Sequence, residues 1–240
     1  MRSTNLVQTG AAVATLTLAL TLSACSDAES DSTTTSSSAG TSSTSTSSPS
    51  ESTTLSPREV AGADGPNETI ADYIKSAGIR EISVKPGENG APIIDLPTPD
   101  GWEDAGTRTP DYAAGAIVYT SPETQGADYT PNIVVILSEL RGNVDVHKLI
   151  DLAGGEMRNL PGFQQFGPGE TDRLSGYPAY KIAGMYDLDN AAAVTAQMTV
   201  VIPSPNSTYV LQFNATSNED QAAALGAAAD FIDANTRISF

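Results

Sequence analysis

The chain has 240 residues, room for one sizeable domain and some additional segments. Its 29 Asp and Glu against 12 Lys and Arg give a formal net charge of -17, which argues against nucleic-acid binding and against electrostatic docking on anionic lipid headgroups. One cysteine excludes an intrachain disulfide and a cysteine-based metal cluster, and His147 is the single histidine available to a triad or a zinc site.

In chain order, the first feature is an apolar run at residues 11–22, "AAVATLTLALTL", behind a start whose only charge is Arg2. It is too short for a spanning helix, which needs about 20 apolar residues, and it fits the core of a signal peptide. Signal cleavage of the ordinary kind wants small residues in an Ala-x-Ala pattern, and "LSAC" puts Leu22 at one of those places. The stretch resembles a bacterial lipobox instead, with cleavage before Cys25 and acylation of its thiol. The competing reading is a free thiol behind an ordinary signal peptide. More than one acyl chain, at about 0.8 kcal/mol per buried methylene, gives a stable membrane anchor without a spanning segment. Residues 1–24 are thus read as a lipoprotein leader.

Residues 25–66 carry the low-complexity stretch "SDAESDSTTTSSSAGTSSTSTSSPSESTTLSPREV". Such Ser/Thr-rich sequence buries too little apolar surface to order itself and predicts a disordered linker. About 40 such residues reach roughly 35 Å in root-mean-square terms.

The folded part is expected over residues 67–240. "NETIADYIKSAG" predicts a helix with Asn67 as N-cap, Ile70, Tyr73, Ile74 and Ala77 on one face, and Gly78 at its end. "IREISVK" alternates as a half-buried strand, and "APIIDLPTPDGWEDAG" reads as a short extended piece and a turn carrying the only tryptophan, Trp102. "GAIVYT" (115–120) and "PNIVVILSEL" (131–140) are strands, the second apolar enough to be central. "NVDVHKLIDLAGGEMRNL" predicts one helix capped by Asn143 or Asp145, bent or closely packed at Gly154 and Gly155. After a turn, "PGFQQFGPGETDRLSG", three alternating stretches, "PAYKIAGMYD", "AAVTAQMTVVIP" and "STYVLQFNAT", predict an antiparallel meander. "SNEDQAAALGAAADFIDANT" closes the chain as a helix capped by Ser217 or Asn218, with Leu225, Ala228, Ala229 and Ile232 inward. The order of elements lacks a repeated βαβ unit and predicts an α+β layered domain on a mainly antiparallel sheet.

No catalytic set emerges. His147 falls in the first turn of a helix and reads as a solvated residue. "RLSGYP" around Ser175 lacks the first glycine of a nucleophile elbow, and "GPGETD" lacks the Lys-Ser/Thr of a phosphate loop. Asp95, Asp100, Glu103, Asp104, Asp111 and Glu123 are abundant carboxylates, from which a glycosidase-type pair is one alternative and a solvated surface the plainer one. The remaining inventory is aromatic and sulfur-bearing. Trp102, Tyr112, Tyr119, Met185 and Tyr186, with Tyr129 and Tyr180, suit either a groove for an amphipathic ligand or ordinary core packing. The first five are the candidate ligand-binding residues.

Several runs together, "TIADYIKSAGIREISVKPGENGAPIIDLPTPDGWEDAG", "ADYTPNIVVILSEL", "VHKLIDLAGGEMRNLPGF" and "LSGYPAYKIAGMY", resemble the LpqN/LpqT family of mycobacterial lipoproteins over residues 67–240. That resemblance implies a Mog1p/PsbP-like fold, an α/β/α layered sandwich around a mainly antiparallel sheet. It implies a non-enzymatic protein of the cell envelope with no cofactor, lipidated at Cys25 and held on the cell membrane facing outward. It also implies work among mycolate glycolipids and lipid-exporting transporters. The expected function is lipid or glycolipid binding, or service as a transporter adaptor. The alternatives are an envelope hydrolase using a carboxylate pair and a surface module for host proteins.

Overall fold

Residues 65–122, 129–188 and 191–240 are described in the computed structural model of the protein, all within one unit, Ser50–Phe240. The leader, Cys25 and the linker as far as residue 64 lie outside the described residues.

The first helix, α1 (Ile70–Ser76), starts later than Asn67. Its cap is Thr69, whose hydroxyl accepts from Asp72 N at 3.1 Å while the Asp72 carboxylate accepts from Thr69 N at 2.9 Å. This reciprocal box satisfies two of the helix's free N–H groups and so outcompetes Asn67 for the cap. Asn67 is used elsewhere: its backbone and side-chain N–H groups donate to Asn159 Oδ1, and Asn159 Nδ2 donates back to the Asn67 carbonyl.

Strands β1 (Arg80–Ser83), β2 (Ile93–Asp95), β3 (Trp102–Asp104), β4 (Gly115–Tyr119) and β5 (Asn132–Arg141) follow. Helix α2 (Val146–Leu152) is capped by Asp145, whose carboxylate accepts from His147 N and Lys148 N, with the His147 side chain exposed. The predicted single helix is in fact two, because α3 (Gly155–Arg158) restarts after Ala153 and Gly154. The cause is close packing: a Cβ on Gly155 would collide with the Glu68 carbonyl oxygen ahead of α1.

The stretch read as a turn contains β6 (Gln164–Gln165) and β7 (Glu170–Leu174). β7 joins β8 (Tyr177–Leu188) through Ser175 and Gly176, both at positive φ (51° and 87°), as a two-residue hairpin of this twist requires. The Ser175 hydroxyl accepts from Ile238 N at 3.0 Å, so this serine is a structural corner. β9 (Ala191–Pro203) and β10 (Thr208–Asn218) complete the meander. The closing helix α4 (Ala222–Asn235) follows a short 3-10 turn capped by Asn218, and β11 (Arg237–Ser239) pairs with β2 as a separate ribbon.

Among the described residues the main sheet has nine strands in the order β3-β4-β5-β10-β9-β8-β6, and every pairing is antiparallel. β1 and β4 lie end to end along one edge of β5, and β6 and β7 do the same along β8. Side chains alternate between the two faces. On the front face Ile133, Val200, Ile202, Leu211 and Phe213 pack with Leu225, Ala228 and Ile232 of α4. On the back face Leu140, Val201 and Val210 pack with Ile70, Ile74, Leu149 and Ile150 of α1 and α2. The mixed α+β layering of the sequence reading is therefore present, with helices on both faces of an antiparallel sheet.

Candidate functional site

The structure does not gather the five candidate ligand-binding residues into one groove. Trp102 is buried at 7% exposure on β3 and pairs across to Tyr119 on β4, their rings 5.4 Å apart and tilted by 44°. That contact fills the edge of the front core. Tyr112 is exposed in the loop before β4, where its carbonyl accepts from Ser83 Oγ. Met185 and Tyr186 are neighbours on β8 and so face opposite ways. Met185 packs against the front core, and Tyr186 against Met157, Leu160 and Ile182 on the back. β8 lies four strands from β4, roughly 19 Å at the usual spacing.

The other sequence candidates are dispersed as well. Asp95, Asp100, Glu103, Asp104 and Asp111 are all exposed, and Glu123 lies outside the described residues. Glu103 is paired with Arg108 at 3.3 Å, Asp104 accepts from Gly106 N at 2.6 Å, and as successive strand residues they point to opposite faces. Tyr129 is held by Asn132 Nδ2, which donates to its hydroxyl at 2.9 Å, and burial pushes its phenol above the ordinary value. Tyr180 is a hydrogen-bond partner of Arg158, at 2.7 Å.

A larger concave feature among the described residues lies elsewhere, between the front face and α4. A cavity of about 260 Å³ opens there, lined by residues of β5, β8, β9, β10 and α4 and by Phe166, Pro168 and Glu170 at the sheet edge. Register explains it. Ala183, Ala196 and Ala215 are direct cross-strand partners on β8, β9 and β10, and Ala215 in turn faces Ile133 on β5. Three methyl side chains in one row leave a trough where the neighbouring row carries Met198 and Phe213. Above the trough α4 contributes Ala229 and Ile232, so the helix does not fill it.

The mouth sits where the sheet edge is interrupted. Between β6 and β7 the segment Phe166-Gly167-Pro168-Gly169 leaves the edge of β8, with Phe166 N donating to Ala183 O at 2.8 Å and the Phe166 ring half exposed. Gly167 has φ +68°, a conformation that favours glycine, and a Cβ on Gly169 would meet the Tyr180 hydroxyl. The glycines of "GPGETD" thus shape an entrance.

A lysine stands beside that entrance. Lys181 Nζ donates to Asp172 Oδ2 at 2.5 Å and to Asp233 Oδ2 at 2.6 Å, tying β7, β8 and α4 together. Burial alone would lower the Lys181 pKa, but the hydrogen bonds to both aspartates outweigh it and hold the ammonium above its ordinary range. The Asp172 carboxyl is held below its ordinary value by the Lys181 hydrogen bond and then by the Arg173 backbone N–H. None of the five candidates from the sequence lines this cavity. Its signal was present as alanines at positions 183, 196 and 215, but only the register aligns them.

Residues 66–239 match the family model described as "Probable lipoprotein LpqN". The chain is 44% identical over 179 residues to lipoprotein LpqN of Mycobacterium tuberculosis, covering 74% of this chain and 76% of that one. It is 26% identical over 174 residues to the proline-rich 28 kDa antigen homolog of Mycobacterium leprae, covering 72% of this chain and 61% of the relative. The crystal structure of M. tuberculosis LpqN, a protein involved in cell envelope biogenesis, superposes with a TM-score of 0.69 at 43% identity, over 73% of this chain and all of that one.

Proposed function

The chain belongs to the LpqN family of lipoproteins, and from that premise we propose that it is a non-enzymatic, membrane-anchored lipoprotein that binds an amphipathic lipid of the cell envelope. The observation that carries this reading is the apolar cavity of about 260 Å³ between the sheet and α4, open at the sheet edge beside Phe166. Small apolar side chains form its floor and polar ones its mouth, the arrangement that suits a ligand with an apolar tail and a hydrated head. The protein then acts by holding and presenting a lipid, with no bond made or broken. Family membership supports an envelope location, and no helix among the described residues is long and apolar enough to cross a membrane. Acylation at Cys25 supplies the anchor, and the linker lets the domain meet a lipid exporter in the same membrane.

The test is purification from a mycobacterial host followed by mass spectrometry of bound lipid, comparing wild type with Ala196→Leu. Co-purifying envelope lipid that the substitution abolishes supports the reading. The same lipid content in both proteins, or none in the wild type under native conditions and none on adding trehalose mycolates, sinks it. For the anchor, Cys25→Ser shifts the protein from the detergent phase to the aqueous phase; equal partitioning of mutant and wild type removes the acyl-anchor part.

A further inference from the structure

The back face carries a second, smaller concavity of about 110 Å³, between α1, α3 and the strands β1, β5 and β10. Its walls are apolar, with Ile70 and Ile74 from α1 and Leu140 from β5. Its polar groups are acceptors. Ser138, a residue only 8% exposed, lines it with a hydroxyl that has no partner among the described residues. Gln212 Nε2 lies 3.5 Å from Thr199 Oγ1, which leaves the amide carbonyl to the pocket. Glu81 on β1 and Glu156 on α3 add two carboxylates. Acceptors and negative charge beside apolar walls call for a donor-rich cation on an aliphatic stem, which is the chemistry of an arginine side chain. The size agrees. About 110 Å³ equals roughly four times the share of a liquid water, enough for a guanidinium and the methylene beside it.

The sequence supplies such a group close by. Arg58, in "TTLSPREVAGAD", is the only Lys or Arg between Arg2 and Lys75. The chain enters the described fold at Gly65, where a Cβ would collide with the Asn159 side chain, and Asn67 is hydrogen-bonded to the same asparagine. Asn159 ends α3, the helix that carries Glu156. Seven residues lead from Arg58 to Gly65, a reach of up to about 24 Å against about one helical turn between Asn159 and Glu156. We propose that this pocket seats the Arg58 side chain of the same chain, its stem on Ile70 and Ile74 and its guanidinium among Glu81, Glu156, Ser138 and Gln212. The tether that begins at Cys25 then ends at Arg58 and leaves the domain on the face opposite α4. Ion pairs of this exposure contribute a few-fold each, so docking is favoured by about five-fold or more, and salt weakens it.

Trypsin tests this on the full chain, because Arg58 must leave the pocket to be cut. Where release and return are fast, the cleavage rate follows the released fraction. At low salt, cleavage after Arg58, followed by mass spectrometry, is expected to be about five-fold or more slower in wild type than in Glu81→Gln/Glu156→Gln. The gap closes at high salt. Equal rates at low salt overturn the inference, and a gap that salt leaves unchanged overturns its ion-pair basis. Slowing that grows with protein concentration assigns the pocket to Arg58 of a second copy and overturns docking within one chain. If the double variant does not fold, hydrogen exchange decides. Amides of residues 55–62 are expected to exchange more slowly in wild type than in Arg58→Ala, and equal exchange overturns the inference.

Discussion

The two faces of the central sheet use the same strands for opposite ends. On the back, close approach is needed at two points: Gly155 of α3 leaves no room for a Cβ against the Glu68 carbonyl ahead of α1, and Gly184 of β8 none against Gln164 and Phe163. On the front, α4 crosses a row of alanines and leaves a cavity. Both faces are lined with small residues, yet they serve different purposes. A glycine opposite backbone permits contact, whereas an alanine opposite a helix side chain withholds it. Residue size alone therefore does not say whether a site is packed or open, and the partner across the gap decides.

That contrast can be broken by substitution. The largest effect is expected on the back face, where Leu149→Ala empties a fully buried position and costs about 2–5 kcal/mol, read as a lower urea midpoint. A cost below about 1 kcal/mol would mean that α2 is not closely packed. Next comes Gly155→Ala, which forces α3 away from Glu68 at a cost of roughly 1–3 kcal/mol. Ala196→Leu on the front adds volume to a void, so stability is expected to stay unchanged or rise by up to about 2 kcal/mol while lipid binding is lost. A destabilisation of the size predicted for Gly155→Ala would show the front face to be packed as well.

The smallest effect concerns the ion triad at the mouth. Asp172 is depressed in the folded state, so its contribution is present above the ordinary value of 3.8 and is lost as pH falls through the lower folded value. Lys181 is raised, so its contribution is complete below 10.5 and lost only as pH rises above that. Asp172→Asn is therefore expected to cost at most about 1 kcal/mol at neutral pH, given the exposure of the pair. The gap between variant and wild type should vanish in acid, in melts followed from pH 7 downward. A gap that persists there would assign the effect to something other than charge.

Much of this architecture was readable in the residues. The long alternating strands 8, 9 and 10 and the apolar run of β5 fall where period-two patterning put them, and α4 buries Leu225, Ala228 and Ile232 as spacing required. What escaped were elements whose stability comes from a partner. β7 is almost entirely exposed and mostly charged, and β3, read as part of a turn, and β11 have three residues each, so none carries a pattern without the strand beside it. The capping box at Thr69 and Asp72 was legible in spacing, but Asn67 competed for the same role. The cavity was the hardest to see. Ala183 and Ala215 are far apart in the chain and meet only through Ala196, and the aromatic residues that drew attention are packed or scattered.

The single tryptophan makes a practical tool of that scatter. Trp102 is buried at the sheet edge, with four strands between its own and β8 on the far side, roughly 24 Å away at the usual strand spacing. It emits from a shielded environment and is not itself a lining residue of the cavity, so an amphiphile without a chromophore is expected to change its fluorescence little. A dansyl-tagged chain seated under α4 would instead accept its excitation energy. One molecule then carries an optical gauge that separates unfolding, which reddens the emission, from occupancy, which drains it.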